Sequence, residues 1–287
     1  MNQFEEVIKK SGWFYNQGPD FDVVISSRVR FVRNLSNYPF PHILSDEEDE
    51  EVKAIIIDAF TQLPDELQFT VLQLDDISKV EKNVLLERNI LTKEYFDQNN
   101  GVVVLSDDGE VSAIVNEADH LRISCIKPGY ALKKAYHRVD SIDSALENHL
   151  TYASSVEWGY LSSTLKNIGT GVRFSVLVHL PALEFTSLLS ETLNLIMEKG
   201  FSVKAFHGSE DKSLGDIYQI SNRVSLGYTE AEILNHMNKL LKPLILLERK
   251  TREALYKKKK GEIEDKILRS LGVLKYCRIF ESNPSIY

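Results

Sequence analysis

The sequence predicts an α+β protein, a largely antiparallel sheet flanked by helices with a helical C-terminal segment. Three observations carry that reading. GVVVLS and EVSAIVN flank Asp107-Asp108-Gly109, a strong hairpin signal. LRISCI follows at once as a third strand, and hairpins adjoining one another favour antiparallel pairing. From Thr229 the chain turns from mixed strands to charged helix, which divides it into residues 1–228 and a helical segment 229–287.

Taken in order, Asn2 to Lys10 reads as a helix, and a Gly18-Pro19 loop leads into the extended segment FDVVIS, with the arginine cluster SSRVRFVRN following that strand. Ser45 is a helix N-cap for DEEDEEVKAIIIDAFTQL, whose acidic first turn suits the positive end of the helix dipole. QFTVLQL alternates as a strand, and ISKVEKNVLLERNI has helical spacing. Beyond the three-strand run, a helix is expected over about Tyr130 to Tyr152, then a strand-like GYLSS, the loop TLKNIGTG and the strand VRFSVLVHL, ended by Pro181. A single helix through LEFTSLLSETLNLIMEKG stops at Gly200, and strands FSVKAFHG and DIYQISN bracket a polar loop, Ser209 to Gly215.

Composition removes several function classes. With 287 residues, 43% of them hydrophobic and 26% charged, the chain can bury a sizeable core. A net charge of -8 argues against generic nucleic-acid binding. No apolar run approaches the roughly 18 to 20 residues of a membrane span, and MNQFEEVIKKSGWF lacks signal-peptide features, so a cytoplasmic protein is expected. Cys125 and Cys277 lie far apart without metal-ligand spacing, which excludes a zinc site and a disulfide framework. The basic run Lys257 to Lys260 reads as a solvated helix face.

Against this acidic background, basic residues recur at strand ends: Arg28, Arg30 and Arg33, then Arg122, then Arg173 behind NIGTG. Guanidinium forks bind phosphate oxygens bidentately and stay charged at any relevant pH, so the set suggests an anion cradle.

The strings VVISSRVRFVRN, VNEADHLRISC, GYLSSTLKNIGTGVRFSVLVHLPAL and DIYQISNRVSLG, in this order and spacing, resemble the phosphagen kinases, the ATP:guanidino phosphotransferases. Within them the nearest branch is the bacterial protein-arginine kinases. The resemblance implies the guanidino kinase / glutamine synthetase-like catalytic fold, and transfer of the ATP γ-phosphoryl group to arginine side chains of proteins. It implies ATP phosphates on Ser26, Arg28, Arg30, Arg122 and Arg173, with Mg²⁺ bound mainly through those phosphates and no carboxylate cage. Thr164 and Asn167 fall on the substrate side, and Lys204, His207, Glu210 and Lys212 in a further phosphate or substrate loop. Implied partners are arginine-bearing protein substrates, a zinc-binding activator, an unfoldase-protease system and a second copy of the chain. Nucleic acid and membrane are not among them.

The chain departs from that pattern on the substrate side. The family reads N-E-E-D-H where this chain has Asn116-Glu117-Ala118-Asp119-His120, and the second glutamate is the one that holds the guanidinium and accepts its proton. Glu117 and Asp119 are the remaining catalytic carboxylates nearby, although strand alternation would turn them to the face opposite residue 118. Lys212 stands where a second family carboxylate is expected, with Glu210 or Asp211 as alternatives, and Thr164 replaces a cysteine. His120 and His179 read as structural. The segment after RSLGVL is shorter than the family's. Three readings stay open: an arginine kinase, a nucleotide-binding pseudokinase acting as regulator or scaffold, and a kinase for another acceptor.

Overall fold

The computed structural model describes residues 12–64, 67–98, 100–206, 208–209, 212–276 and 278. The expected helix over Asn2 to Lys10 lies outside them. Strand β1 (Val24–Arg33) absorbs the arginine cluster instead of ending before it. Behind the apolar start, Ser27, Val29 and Phe31 alternate inward while Arg28 and Arg30 turn the other way, a period-2 pattern that the leading valines conceal.

Helix α1 (Asp46–Thr61) begins as expected at Ser45, in a reciprocal capping box with Glu48. Strand β2 (Phe69–Gln73) leads to helix α2 (Lys79–Glu87), which Ser78 and Glu81 cap in the same way, and to the single turn α3 (Lys93–Phe96). Strands β3 (Val102–Ser106) and β4 (Val111–Val115) form the expected hairpin, with Gly109 at φ 60° in the turn. Strand β5 (Leu121–Pro128) follows.

Helix α4 (Leu132–Leu146) is shorter than expected, because the chain beyond it is recruited to the end of β1: Leu35 bridges Tyr152, and Ala153 N donates to the Asn34 carbonyl. The strand expected at GYLSS reduces to the small hairpin β6 (Ser154–Ser155) and β7 (Gly159–Tyr160), ahead of β8 (Val172–His179). The helix expected through residues 183–200 is two, α5 (Pro181–Phe185) and α6 (Leu189–Glu198). Ser187 breaks it at φ 59°, and Thr186 Oγ1 turns back onto the Ala182 carbonyl. Strand β9 (Phe201–Ala205) ends before the expected FSVKAFHG does, and a two-strand ribbon, β10 (Gly208–Ser209) and β11 (Lys212–Ser213), takes in its last residue and part of the expected polar loop ahead of β12 (Ile217–Asn222). Helix α7 (Glu230–Tyr276) bends at Lys259.

Eight strands make one antiparallel sheet in the order β2-β3-β4-β5-β1-β8-β12-β9. One face carries Val29, Phe31, Ile123, Phe174 and Ile220 into a core shared with α1, α4 and the start of α7, which contributes Ile233, Met237, Leu241 and Ile245. On the other face, α2 and α3 cover β2 to β4 through a smaller core of Leu72, Leu85, Tyr95, Val103, Leu105 and Ile114. The rest of that face, over β5, β1, β8, β12 and β9, carries the site.

Arg33, an odd position on β1, falls on the helix side. Its Nε and Nη2 donate to Asp143 at 3.1 and 2.6 Å, and its guanidinium lies 3.6 Å from the Tyr160 ring. It braces the core, apart from Arg28 and Arg30.

Candidate active site

The register of the sheet gathers the remaining arginines. Arg30 sits directly across from Arg173 on β8 and Ser124 on β5, Arg28 across from Ser175 and Ile126, and Val32 across from Arg122. Paired positions share a face, so Arg28, Arg30, Arg122 and Arg173 form one patch. Lys204, opposite Gln219, extends it along β9.

These cations are scarcely compensated. Arg28 reaches Ser124 Oγ at 3.3 Å, Arg173 reaches Ser221 Oγ at 2.9 Å, and Arg122 pairs with Glu117. Arg28 Nε, Arg30 Nε, and Arg122 Nε and Nη2 are buried without an acceptor among the described residues. Burial, then repulsion from Arg122, brings Arg28 down to about 10. Burial and the neighbouring Arg28, Arg122 and Arg173 hold Arg30 well below the usual arginine range. A buried cationic donor without an acceptor is costly, and a polyanion is the ligand that relieves it.

Ser26 is buried beside Arg28 in a shallow groove also lined by Trp13, Phe206 and Gln219. At the other end of the patch, Arg30 and Arg122 line a cleft of about 490 Å³ with Thr92, Glu94, Glu117, Ala118, Thr164, Lys166 and Asn167. Thr164 precedes a helical turn, Leu165–Asn167, whose Asn167 N donates to the Thr164 carbonyl.

Residues 116–120 form the turn between β4 and β5, where Asn116 N bonds the His120 carbonyl, so strand alternation does not govern them. Glu117 faces the cleft, its carboxylate engaged by Arg122 and by the Thr92 hydroxyl. Asp119 turns inward, 4% exposed, and accepts from Asn34 Nδ2, Ser162 Oγ and Ser163 N at 2.7, 3.0 and 2.8 Å. His207, Glu210 and Asp211 lie outside the described residues, and of Lys212 only the backbone is described, in β11.

His120 Nδ1 accepts from Leu35 N at 3.0 Å, and its Nε2 faces the Pro39 carbonyl at 2.8 Å, which fixes the neutral Nε2–H form. Burial lowers its pKa below the ordinary 6.5. The unfolded chain therefore takes up this proton first, and stability is expected to fall as pH drops from about 6.5 toward the lower native value. Urea titrations between pH 7.5 and 5 check this; a flat profile, or the same slope in His120→Asn, would refute it. His179, at the end of β8, is lowered chiefly by burial as well.

Sequence reading missed Lys166, Thr92 and Glu94. Lys166 stands in a loop already singled out; burial, Arg173, Lys204 and Arg30 all lower its pKa, which makes it part of the cationic wall. Thr92 and Glu94 come from a segment without a motif.

A family model for the C-terminal catalytic domain of ATP:guanido phosphotransferases matches residues 51–251. The chain belongs to the ATP:guanido phosphotransferase family. Its relatives include protein-arginine kinase of Bacillus licheniformis, 38% identical over 96% of this chain and 76% of that one. Protein-arginine kinase of Desulforamulus reducens is 39% identical over 96% of this chain and 78% of that one. Among solved structures, the duplicated taurocyamine kinase of Schistosoma mansoni aligns with a TM-score of 0.74 at 24% identity, over 87% of this chain and 36% of that one. Lombricine kinase aligns with a TM-score of 0.71 at 22% identity, over 86% of this chain and 71% of that one. These share the α+β guanidino kinase fold expected from the sequence. Among the described residues no helix is long and apolar enough to cross a membrane.

Proposed function

We propose that this chain is an ATP:guanidino phosphotransferase of the protein-arginine kinase type, which transfers the γ-phosphoryl group of ATP to arginine side chains of proteins. The observation that carries the reading is the floor of buried guanidinium N–H groups without acceptors on Arg28, Arg30 and Arg122. Phosphoryl transfer asks the protein mainly for position and for fixed positive charge around the spreading phosphoryl oxygens. Arg28, Arg30, Arg122 and Arg173 supply that charge, while Ser26 lies at the end of the floor nearest Trp13. Lys204 and Lys166 extend the field toward the acceptor. Thr164 and Asn167 line the side where an acceptor enters.

Magnesium fits as an ion held by nucleotide phosphates. The orphan N–H groups of Arg28, Arg30 and Arg122 suit those phosphates. Its chemistry when bound is to neutralise phosphate charge. In the reaction, an acceptor guanidino nitrogen forms the N–P bond as the P–O bond to ADP breaks with its electron pair on ADP. The nitrogen's proton passes to a carboxylate. Family resemblance adds an activator with bound zinc, an unfoldase-protease system, a cytoplasmic setting and a homodimer to this reading.

A second reading, a nucleotide-binding pseudokinase, is favoured by Ala118 and by the engagement of Glu117 with Arg122. Incubation of stoichiometric enzyme with Mg-ATP and an unfolded arginine-rich protein separates them. Acid-labile protein phosphate is the expected product. Its absence, from folded protein that binds Mg-ADP, would leave the pseudokinase.

A further inference from the structure

We infer that Glu94 is the carboxylate that receives the acceptor guanidinium in this chain, in place of the acid lost at Ala118; the inference rests on the phosphotransferase reading above. The cleft has three acids on its walls, Glu94, Glu117 and Asp119. Two are committed elsewhere. Glu117 is bound by Arg122 and Thr92, and every strong acceptor direction it spends on them is lost to a substrate. Asp119 is buried and saturated by Asn34, Ser162 and Ser163. Glu94 is exposed and carries no hydrogen bond or ion pair to any described residue.

Its position is fixed from both sides in sequence. Thr92 caps the turn, accepting from Tyr95 N while donating to Glu117. Tyr95 is buried beneath, its phenol oxygen accepting from Val102 N at 2.8 Å and donating to the Val115 carbonyl. The turn that carries Glu94 is thus pinned to the sheet and to the β4–β5 turn. The same cleft is lined by Arg30, Arg122 and Lys166. A cationic acceptor entering such a cleft is repelled unless an unpaired carboxylate meets it, and a carboxylate takes a guanidinium bidentately. A guanidinium held on Glu94 would share the cleft with the cationic residues that draw a phosphoryl group. As the N–P bond forms and the P–O bond to ADP breaks, Glu94 takes the nitrogen's proton and releases it to water.

The test compares Glu94→Gln, Glu94→Asp and Glu117→Gln with the native chain. Glu94→Gln is expected to lower kcat/KM for an arginine peptide about 30- to 100-fold, with Mg-ADP affinity and Tm unchanged, and Glu94→Asp to recover part of it. Should the native chain transfer no phosphoryl group, the phosphotransferase reading fails separately. Calorimetric titration of the same peptide onto Mg-ADP-saturated protein then decides, with at least tenfold weaker binding expected for Glu94→Gln. Equal peptide binding or turnover by native and Glu94→Gln chains would overturn the assignment. So would no peptide binding by a native chain without turnover, or a loss confined to Glu117→Gln.

Discussion

Replacing Arg30 with methionine is expected to raise the melting temperature of the free protein while abolishing its response to nucleotide. Arg30 lies across from Arg173, beside Arg28 and Arg122, with its Nε buried and unpartnered. Its depressed pKa, caused first by burial and then by those arginines, means that the folded state carries the charge against its preference. For Arg28, brought down to about 10, the sign is explicit: the folded value lies below that of an ordinary arginine, so the penalty is complete below about pH 10 and fades only as pH rises through it. Every working pH therefore bears the full cost. Methionine keeps apolar stem volume without the charge, and removal of an uncompensated buried cation should stabilise by about 1–3 kcal/mol. At roughly 2–4 °C per kcal/mol for a chain of this size, the shift is easily read. Saturating Mg-ADP at about 100 times its Kd should add about 2.7 kcal/mol to the native protein and nothing to the variant. Transfer activity should fall by about 10²- to 10³-fold. Thermal melts with and without Mg-ADP settle the matter: a lower Tm, or a preserved nucleotide shift, would show that the arginines are not a ligand floor.

The pair Ala118→Glu with Lys212→Glu is expected to raise phosphoryl transfer to arginine by about 10- to 10²-fold, below the full 10²- to 10⁴-fold of a positioned general base because Glu94 already supplies part of that task. Residue 118 lies on the cleft wall between Glu117 and Asp119, and a carboxylate there would stand beside the acceptor without competing for Arg122. The second change rests on the family resemblance, which puts a carboxylate at position 212. Rates in single-turnover mixing of enzyme, Mg-ATP and an arginine peptide read the gain. A null result would count against either the correspondence of these positions with the family's or any surviving chemistry. In this restored background Glu94→Gln should cost much less than in the native chain, because two acids sharing one task are not additive.

The elements that the sequence announced are those set by local chemistry. Ser45 and the Asp107-Asp108-Gly109 turn work through their immediate neighbours, and both appear where expected. The misjudged boundaries are those set by distant partners. Helix α4 stops early because residues 151–153 bond to the continuation of β1, and Pro181 starts a helix whose first N–H groups are received by Glu248, 66 and 65 residues away. At the site, Arg28, Arg30, Arg122 and Arg173 were legible because they stand in motifs. That Arg33 belongs to the opposite face follows from counting in twos along β1, once β1 is known to run to Arg33. Glu94 was illegible, since its place depends on how α3 packs against a turn more than twenty residues further along the chain.

Strand β1 stands at the middle of the sheet, yet its hydrogen-bonded neighbours arrive late. Arg28 meets Ser124 across 96 residues and Ser175 across 147. During synthesis β1 must wait, unpaired and carrying repelling guanidinium groups, until β5 and then β8 have been made. Such long waits slow folding and leave an edge open to wrong partners. The arginine patch is complete only once β8, which carries Arg173, has been made.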